Sequence, residues 1–412
     1  MTSVVFYFQV HQPYRLQRYT YFDIGEEREY FNEPENERIM KRVAERCYLP
    51  MNQLLLEAIE ETDGRFRCAF AITGTALTQM EDWAPEALES FVELANTGCV
   101  EFVCETAYHS LASQGDPREF EEQVRSQRDR MEELFGQRPR TFRNTELIFD
   151  DGIAKRIEDL GFEVLLGEGA DQLLDGRNPR HVYRPRGCDK LKLLLRDYLF
   201  SDDIVFRFSN REWEGYPLMA DTFCSWLHRA KPDDEFIGLF MDYETFGEHQ
   251  GPETGLFDFM RAVPGYLLED PRFDFRTPIE IAERFPPRAE ITCPTPISWA
   301  DAERDLSAWL RNPMQLAAHE ALYDLLPDVL RVAEAGDPRF LDIWRRLTTS
   351  DHVYYMSTKF FSDGDVHEYF TPYESPYDSY VVFMNVLDDL STRVREALSP
   401  LTTSTTTEES IG

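Results

Sequence analysis

The sequence predicts an α/β fold built on parallel strands, with a helical region in its C-terminal part. Over the first 290 residues, short apolar segments rich in β-branched and aromatic residues alternate with amphipathic helical segments. This alternation favours parallel strands joined by crossover helices, but it does not distinguish a closed barrel from an open sheet. Helical periodicity then dominates beyond two proline-rich breaks. With 412 residues, the chain is long enough for one large domain and a smaller one.

The predicted elements alternate along the N-terminal part of the chain. Strands are expected at residues 4–10, 66–72, 100–104, 141–145, 163–166 and 235–241, and helices at residues 36–61, 84–96, 118–135, 151–160 and 254–268. Residues 176–203 are predicted to be an irregular insertion containing a hairpin, because Arg186-Gly187-Cys188-Asp189 separates two strand-like runs.

Prolines mark the predicted domain boundary. Phe285-Pro286-Pro287 and Cys293-Pro294-Thr295-Pro296 interrupt regular structure and are typical of a stiff connector. We therefore expect a catalytic domain at residues 1–290, a helical domain at 291–398 and a disordered tail at 399–412, where Thr, Ser and Glu leave little to bury. Helices are expected in the C-terminal region at 301–310, 314–335, 338–347 and 377–398.

Composition narrows the class of partner. The chain carries 76 Asp and Glu against 43 Lys and Arg, a net charge of -33, which disfavours nucleic acid and anionic membrane surfaces. Only six of the cations are lysines, a pattern similar to that of halophilic proteins. The seven cysteines are scattered and form no Cys-x-x-Cys pair, which is typical of reduced thiols rather than of disulfides or a structural zinc site. With neither a visible signal segment nor a long apolar stretch, we expect a cytoplasmic protein with no cofactor or metal.

Two strand-like runs end in carboxylic acids. The apolar run that ends at Met241 is followed by Asp242-Tyr243-Glu244, and the run from Thr141 is followed by Glu146. Most glycosidases use two carboxyl groups, one acting on the leaving oxygen and one on the sugar carbon, and separate strands can present them. In an extended strand Asp242 and Glu244 would lie on the same side, where like charges raise one pKa.

Other polar and aromatic residues are candidates for binding a sugar. His11 follows the first strand directly, and His109 follows the strand-like segment that contains Glu101. Glu101 requires a partner if it faces inward, whereas exposure at a sheet edge is an equal alternative. The aromatic segments 350–356 and 366–373 could form a wall on which sugars stack or could simply pack, and the same holds for Trp299 and Trp309.

Taken together, these motifs resemble glycoside hydrolase family 57, a group of α-amylases, 4-α-glucanotransferases and branching enzymes. The resemblance lies in five elements in the right order: His11-Gln12-Pro13, residues 98–109, Glu146, residues 241–247 and Ser350-Asp351. It implies a distorted (β/α)7 barrel of the TIM type followed by an α-helical bundle, and a mechanism that retains anomeric configuration.

By position, Glu146 resembles the family nucleophile and Asp242 the general acid/base. His11, Glu101, Glu244 and Asp351 match other polar positions of the family site. The sequence departs from the family pattern at Ser110, where proline is common, and at Arg143-Asn144-Thr145, which replaces a tryptophan-containing approach to the nucleophile.

The resemblance therefore predicts a retaining, α-amylase-like glycosidase whose partner is an α-1,4-glucan or maltooligosaccharide. A 4-α-glucanotransferase with the same carboxyl groups and a non-catalytic glucan-binding protein remain alternatives. So does a metal-dependent carbohydrate hydrolase that would recruit His11, Asp242 and His249. The oligomeric state stays open.

Overall fold

The computed structural model describes residues 1–26, 28–359 and 371–408, with side chains described as far as residue 399. The chain divides into two compact units. The first unit comprises Met1–Gln12, Glu37–Ala107 and Glu121–Trp299, and the second comprises Pro13–Asn36, Tyr108–Phe120 and Ala300–Gly412. The chain therefore passes between the units several times, whereas the sequence predicted a single boundary at residue 290. That three-part division stays a prediction.

The first unit contains ten short strands. They are β1 (Thr2–Val10), β2 (Cys68–Ile72), β3 (Val100–Val103), β4 (Thr141–Arg143), β5 (Val164–Glu168), β6 (Tyr183–Pro185), β7 (Lys192–Arg196), β8 (Phe236–Asp242), β9 (Phe273–Phe275) and β10 (Ala289–Ile291).

Seven of these strands form a ring of parallel neighbours. β1 pairs with β2 and β8, β2 with β3, β4 with β5, and β5 with β7, all in parallel. A parallel bridge between Cys104 and Phe142 joins the β3 and β4 segments. The amide of Asp197 donates to the carbonyl oxygen of Gly238 over 2.8 Å and joins β7 to β8. The ring β1-β2-β3-β4-β5-β7-β8 is a seven-stranded barrel.

Strand β1 explains why the barrel has two cores. All nine of its residues are buried, so both faces of the strand are covered. Phe6 and Phe8 belong to the outer core that the helices cover. Val5 and Tyr7 belong to the core inside the barrel, together with Phe240. Because successive side chains of a strand point to opposite faces, Tyr7 lies in the interior.

Helices occur in both units and make up most of the second. They are α1 (Glu33–Val43), α2 (Leu49–Glu61), α3 (Gly74–Trp83), α4 (Pro85–Asn96), α5 (Ala112–Gly115), α6 (Pro117–Phe135), α7 (Asp151–Asp159), α8 (Asp171–Leu174), α9 (Tyr198–Asp202), α10 (Ala220–Leu227), α11 (Leu256–Leu267), α12 (Pro278–Arg284), α13 (Pro313–Asp324), α14 (Leu326–Glu334), α15 (Arg339–Leu347), α16 (Ser350–Tyr354) and α17 (Pro376–Glu408). A π-helical turn, Ala44–Tyr48, separates α1 from α2, where the sequence predicted one continuous helix.

Two sequence-based predictions of local structure are wrong. The expected hairpin does form, since Tyr183 pairs antiparallel with Leu193, but β7 is a barrel strand rather than part of an insertion. Its Leu193-Leu194-Leu195 run is fully buried, as a strand covered on both faces must be. Residues 301–310 form no helix, because the chain turns there, with Asp301 and Arg304 in the left-handed region.

The second unit buries both aromatic and polar groups. The indole N–H of Trp344 donates to the carbonyl oxygen of Leu322 over 2.7 Å, and the fully buried Asp389 accepts from the Tyr30 hydroxyl over 2.5 Å. Helix α17 continues through residues 399–408 of the tail for which composition predicts disorder. In the part of the chain that the structure describes, no helix is both long and apolar enough to cross a membrane. Residues 366–370 of the predicted aromatic wall lie outside the described residues.

Candidate active site

The carboxyl ends of the barrel strands present three of the predicted site residues. Asp242 is the last residue of β8, His11 follows β1 directly, and Glu146 lies three residues beyond β4. In the β1–β8 register Asp242 is paired with Gln9, so β1 and β8 end at the same level. Parallel-barrel enzymes carry out their chemistry at this end, where the loops begin.

A strained turn presents Glu146. Both Glu146 (φ 57°) and Leu147 (φ 52°) adopt the left-handed conformation, which costs a residue other than glycine about 1–3 kcal/mol. Residues 297–299 run beside this turn: Phe149 and Ile297 exchange two backbone hydrogen bonds of 3.0 Å, and the amide of Trp299 donates to the carbonyl oxygen of Glu146 over 3.2 Å. The turn buries Leu147 and leaves the Glu146 side chain partly exposed.

Trp299 also holds the Glu146 side chain. Its indole N–H donates to Oε2 of Glu146 over 2.7 Å. Two guanidinium groups approach the same ring, that of Arg143 at 4.8 Å and that of Arg196 at 5.7 Å from the ring centroid. The carboxylate is therefore oriented by a residue about 150 positions away in the sequence.

The charges of both predicted catalytic carboxyl groups act on Tyr7, whose hydroxyl donates to Oε1 of Gln9 over 2.6 Å. Burial inside the barrel raises its pKa well above the ordinary value, and the positive charge of Arg143 opposes that shift. The negative charges of Glu105, Asp242 and Glu146 raise the pKa further. Asp242 and Glu146 thus both act electrostatically on one phenol in the barrel interior.

Glu244 is a buried acid beside Asp242. Burial raises its pKa to about 8, the charge of Asp242 adds to the shift, and hydrogen bonds to the carboxylate oppose it. Oε1 of Glu244 accepts from the Tyr48 hydroxyl over 2.6 Å and from the amide of His11 over 3.1 Å. Glu244 is therefore protonated near neutral pH.

The reason for this proximity differs from the strand alternation that the sequence suggested. β8 ends at Asp242, and Glu244 lies in a 3₁₀ turn, Tyr243–Thr245. Tyr243 lies in the outer core, where its hydroxyl donates to Oδ1 of Asn52 over 2.6 Å.

His11 is fixed between Glu244 and the start of α3. Its Nδ1 is 3.1 Å from the hydroxyl oxygen of Thr73. That hydroxyl also caps α3 by accepting from the amide of Ala76 over 3.1 Å. His11 is partly exposed and belongs to the same group as Glu244 and, through it, Asp242.

Glu101 does not join this group. It lies near the amino end of β3, where it accepts hydrogen bonds from the Thr141 hydroxyl and, over 2.9 Å, from the amide of Ile279. Thr141 begins β4, and Ile279 lies in the first turn of α12, so these contacts belong to the opposite end of the barrel. Burial raises the pKa of Glu101, and the hydrogen bonds to Ile279 and Thr141 oppose the shift.

The acid that the sequence reasoning missed is Glu105, just beyond the carboxyl end of β3. It is fully buried, and its Oε1 accepts from the Gln9 side-chain amide over 2.7 Å. Its Oε2 lies 3.9 Å from Nη1 of Arg143. The signal was available: Glu105 ends an apolar run in the same way as Asp242, at the strand end that faces the site.

Arg196 was also missed. Its Nε donates to the carbonyl oxygen of Phe240 over 2.8 Å, and its guanidinium pairs with Asp202 at 2.6 Å and Glu168 at 3.4 Å. Burial lowers the pKa of Arg196, but the charges of Asp202, Glu168 and Asp242 outweigh burial and raise it. Nothing in the local sequence distinguishes this arginine from those on the surface.

The remaining predicted residues lie in the second unit, in one region. His109 has a left-handed backbone (φ 50°), and its carbonyl oxygen accepts from the amide of Ser350 over 2.9 Å, at the start of α16. Asp351 is in α16, and the buried ring of Trp309 packs 6.0 Å from that of Tyr354 in the same helix. The sugar-binding roles of these residues stay predictions. Among the residues that the structure describes, no three His, Cys, Asp or Glu side chains are placed to hold a metal ion together.

Comparison with known proteins identifies the family. The profile of glycosyl hydrolase family 57 matches residues 5–294. A protein of Methanocaldococcus jannaschii named "Putative alpha-amylase" is 38% identical over 410 residues, covering 96% of this chain and 85% of that protein.

Solved structures share the fold. The family 57 branching enzyme from Thermococcus kodakaraensis has a TM-score of 0.69 at 14% identity, covering 97% of this chain and 91% of that one. The 4-alpha-glucanotransferase from Thermococcus litoralis has a TM-score of 0.64 at 16% identity. That match covers 85% of this chain and 56% of the glucanotransferase chain. The predicted (β/α)7 barrel with a C-terminal helical region is confirmed, and the chain belongs to glycosyl hydrolase family 57.

Proposed function

We propose that this protein is a retaining α-glycosidase that hydrolyses α-1,4-glucans, with Glu146 as nucleophile and Asp242 as general acid/base. The observation that carries the proposal is that Asp242 ends β8 and Glu146 follows β4, so both acids lie at the carboxyl end of the barrel. The charges of both also act on the buried phenol of Tyr7. The 38% identical relative from Methanocaldococcus jannaschii, whose name is "Putative alpha-amylase", supports the choice of substrate.

The reaction proceeds in two displacements. Asp242 gives its proton to the glycosidic oxygen while the Glu146 carboxylate attacks the anomeric carbon, so the glycosidic bond breaks and a glycosyl ester forms. Asp242, now ionised, takes a proton from water, whose oxygen attacks the same carbon and releases Glu146. Two inversions restore the original configuration.

The surroundings suit these roles. The indole N–H of Trp299 stabilises Glu146 as a carboxylate, the form that attacks. Glu244, protonated near neutrality, places no second negative charge beside Asp242, which favours the release of the Asp242 proton to the leaving oxygen in the first step. We assign the binding of sugar hydroxyls to His11 and Glu244, which are joined by a hydrogen bond at the strand ends.

Substitution of the nucleophile gives the first test. Glu146→Gln should reduce hydrolysis of maltooligosaccharides by several orders of magnitude, because an amide cannot form the ester. Glu253→Gln, an exposed position, is the control and should retain full activity. Retained hydrolysis in Glu146→Gln would refute the assignment.

Chemical rescue separates the two roles. With an aryl α-glycoside and azide, Glu146→Ala should give a β-glycosyl azide, because azide replaces the missing nucleophile in one displacement. Asp242→Ala should give the α-glycosyl azide, because the ester still forms and azide then attacks it. The reverse assignment of anomers by NMR would exchange the two roles.

Product analysis separates hydrolysis from transfer. Incubation of the protein with maltopentaose should yield only shorter oligosaccharides if water is the acceptor. A ladder of longer products would identify a 4-α-glucanotransferase instead. Binding of glucan with neither outcome would point to a non-catalytic glucan-binding protein.

A further inference from the structure

Arg143 is a fully buried cation for which the proposed reaction assigns no role. It is the last residue of β4, three positions before Glu146, and its side chain is 0% exposed. Among the described residues, none of its three guanidinium nitrogens has a hydrogen-bond partner. The ion pair with Glu105 is long, at 3.9 Å. A buried charge with so little hydrogen bonding is costly, so its position calls for a compensating contact.

That contact is the indole of Trp299. The guanidinium carbon of Arg143 lies 4.8 Å from the ring centroid, within the range of a cation–π interaction, and tryptophan is the best partner for such an interaction. The other cation near the ring, Arg196, is 5.7 Å away and hydrogen-bonded to Asp202 and Phe240. Of these two arginines, Arg143 is therefore the one whose main contact is the indole ring.

Trp299 in turn is the hydrogen-bond donor to Glu146. The 2.7 Å bond from its N–H and the 3.2 Å bond from its amide hold the side chain and the backbone of the same residue. A cation over the ring draws electron density from the indole, which strengthens its N–H as a donor. The cation also keeps the ring in the orientation that this bond requires.

We propose that Arg143 is a positioning residue for the nucleophile and that it acts through Trp299 to orient the Glu146 side chain and keep it ionised. The inference rests on the proposed role of Glu146. The left-handed backbone of Glu146 fixes the direction of its Cα–Cβ bond but not its side-chain rotamer. The hydrogen bond from Trp299 restricts that rotamer.

Charged and titratable groups from five other parts of the barrel surround this arrangement. They are Tyr7 on β1, Glu105 after β3, Glu168 on β5, Arg196 on β7 and Asp242 on β8. Three of the five are carboxylic acids, and negative charge on any of them disfavours ionisation of Glu146. Arg143 and the indole N–H oppose that effect, so their removal should make Glu146 harder to ionise.

The test is the pH dependence of kcat/KM for an aryl α-maltooligoside, which reports ionisations of the free enzyme. Arg143→Met keeps the length of the side chain without its charge, and Trp299→Phe keeps a ring without its N–H. Each should move the acidic limb upward by about one pH unit, a tenfold change in the proton equilibrium, and leave the basic limb in place. Arg143→Lys should restore part of the shift.

A double variant tests whether Arg143 and Trp299 affect the ionisation of Glu146 through the same interaction. If Arg143 acts through the indole N–H, Arg143→Met should add little to the shift already present in Trp299→Phe. Arg128→Met is the matched control, since Arg128 also stacks on an aromatic ring, that of Phe162 at 4.2 Å, away from the strand ends that carry Glu146 and Asp242. It should leave both limbs unchanged.

An acidic limb that stays in place in folded Arg143→Met would overturn the proposal, as would full additivity in the double variant. If Arg143→Met fails to fold, the pH profile of Trp299→Phe tests the proposal instead. An acidic limb that does not move in Trp299→Phe would show that the indole N–H does not affect the ionisation of Glu146. Failure of the proposed function would be recognised separately, because Glu146→Gln would then keep its activity, whatever the pH profiles of the Arg143 and Trp299 variants show.

Discussion

At the residue scale, the two acids of Asp242-Tyr243-Glu244 have different environments although they are close in sequence. Asp242 is partly exposed at the end of β8, whereas Glu244 is buried under Tyr48 and the amide of His11. Burial raises the pKa of Glu244 to about 8. The sequence predicted that the pKa of one acid would be raised, and the packing of the π-helical turn and of the loop after β1 around Glu244 supplies the burial that raises its pKa.

The raised pKa makes stability depend on pH. Glu244 titrates near pH 8 in the folded protein and near 4.5 when unfolded, so its contribution is complete below pH 4.5 and is lost as the pH rises to 8. Glu244→Gln keeps the hydrogen-bond acceptor and cannot ionise. We expect the unfolding free energy of this variant, relative to the original protein, to increase by on the order of 4 kcal/mol between pH 5 and pH 8.

Urea denaturation at pH 5, 6.5 and 8 measures that difference. Glu60→Gln, an exposed position of α2, is the control and should change stability by the same small amount at each pH. A difference for Glu244→Gln that does not vary with pH would contradict protonation of the buried acid.

At the element scale, the site depends on strands that end at one level and on the closure of the ring. β7 and β8 meet at Gly238, whose carbonyl oxygen accepts from Asp197. A Cβ at this position would lie 2.7 Å from the carbonyl oxygen of Leu195 and 3.0 Å from the Phe240 ring. The glycine therefore allows the close approach of two strands, one of which presents Asp242.

Gly238→Ala should destabilise the protein and reduce activity. The added methyl group meets backbone of β7, which cannot move without parting the strands, and we expect a loss of about 1–3 kcal/mol. Gly265→Ala is the matched control, because no atom lies within 4 Å of its Cβ on an exposed face of α11. There alanine should stabilise by about 0.5–1 kcal/mol. Equal effects of the two substitutions on the Tm would count against the close contact at the β7–β8 seam.

At the scale of the whole molecule, charge is the dominant feature. A net charge of -33 produces self-repulsion that is screened only within a Debye length, about 10 Å at 0.1 M salt and about 3 Å at 1 M. We propose that the folded protein is adapted to high ionic strength. The ion pairs of its arginines cannot neutralise the surface, since acids outnumber cations 76 to 43.

Salt should therefore stabilise the protein. The Tm followed by circular dichroism should rise by several degrees between 0.1 and 1 M KCl, because screening weakens repulsion between carboxylates. Betaine at equal osmolality is the control, since a zwitterion leaves net charge unscreened. A Tm that is unchanged by KCl, or that rises equally in betaine, would exclude an electrostatic origin.

Much of the fold and part of the site could be predicted from the sequence. The strands that precede His11, Glu146 and Asp242 are continuous apolar runs, and a polar residue that ends such a run stands out. β7 was missed as a barrel strand because five residues beside a hairpin give no signal of which neighbours they pair with. Glu101 was assigned to the site from the resemblance, whereas its position at the amino end of β3 depends on the register with β2.

The sequence by itself determined the alternation of strands and helices, through its periodicity, and the family, through its motifs. It also made Glu146 and Asp242 candidates, because an acid at the end of an apolar run is a local property. Only the tertiary structure decided that Trp299 and Arg143 surround Glu146 and that Glu105 takes the place expected for Glu101 at the strand end. The physical reason is that closing the barrel brings together side chains far apart in the chain. Their hydrogen bonds and desolvation exist only once that closure is complete.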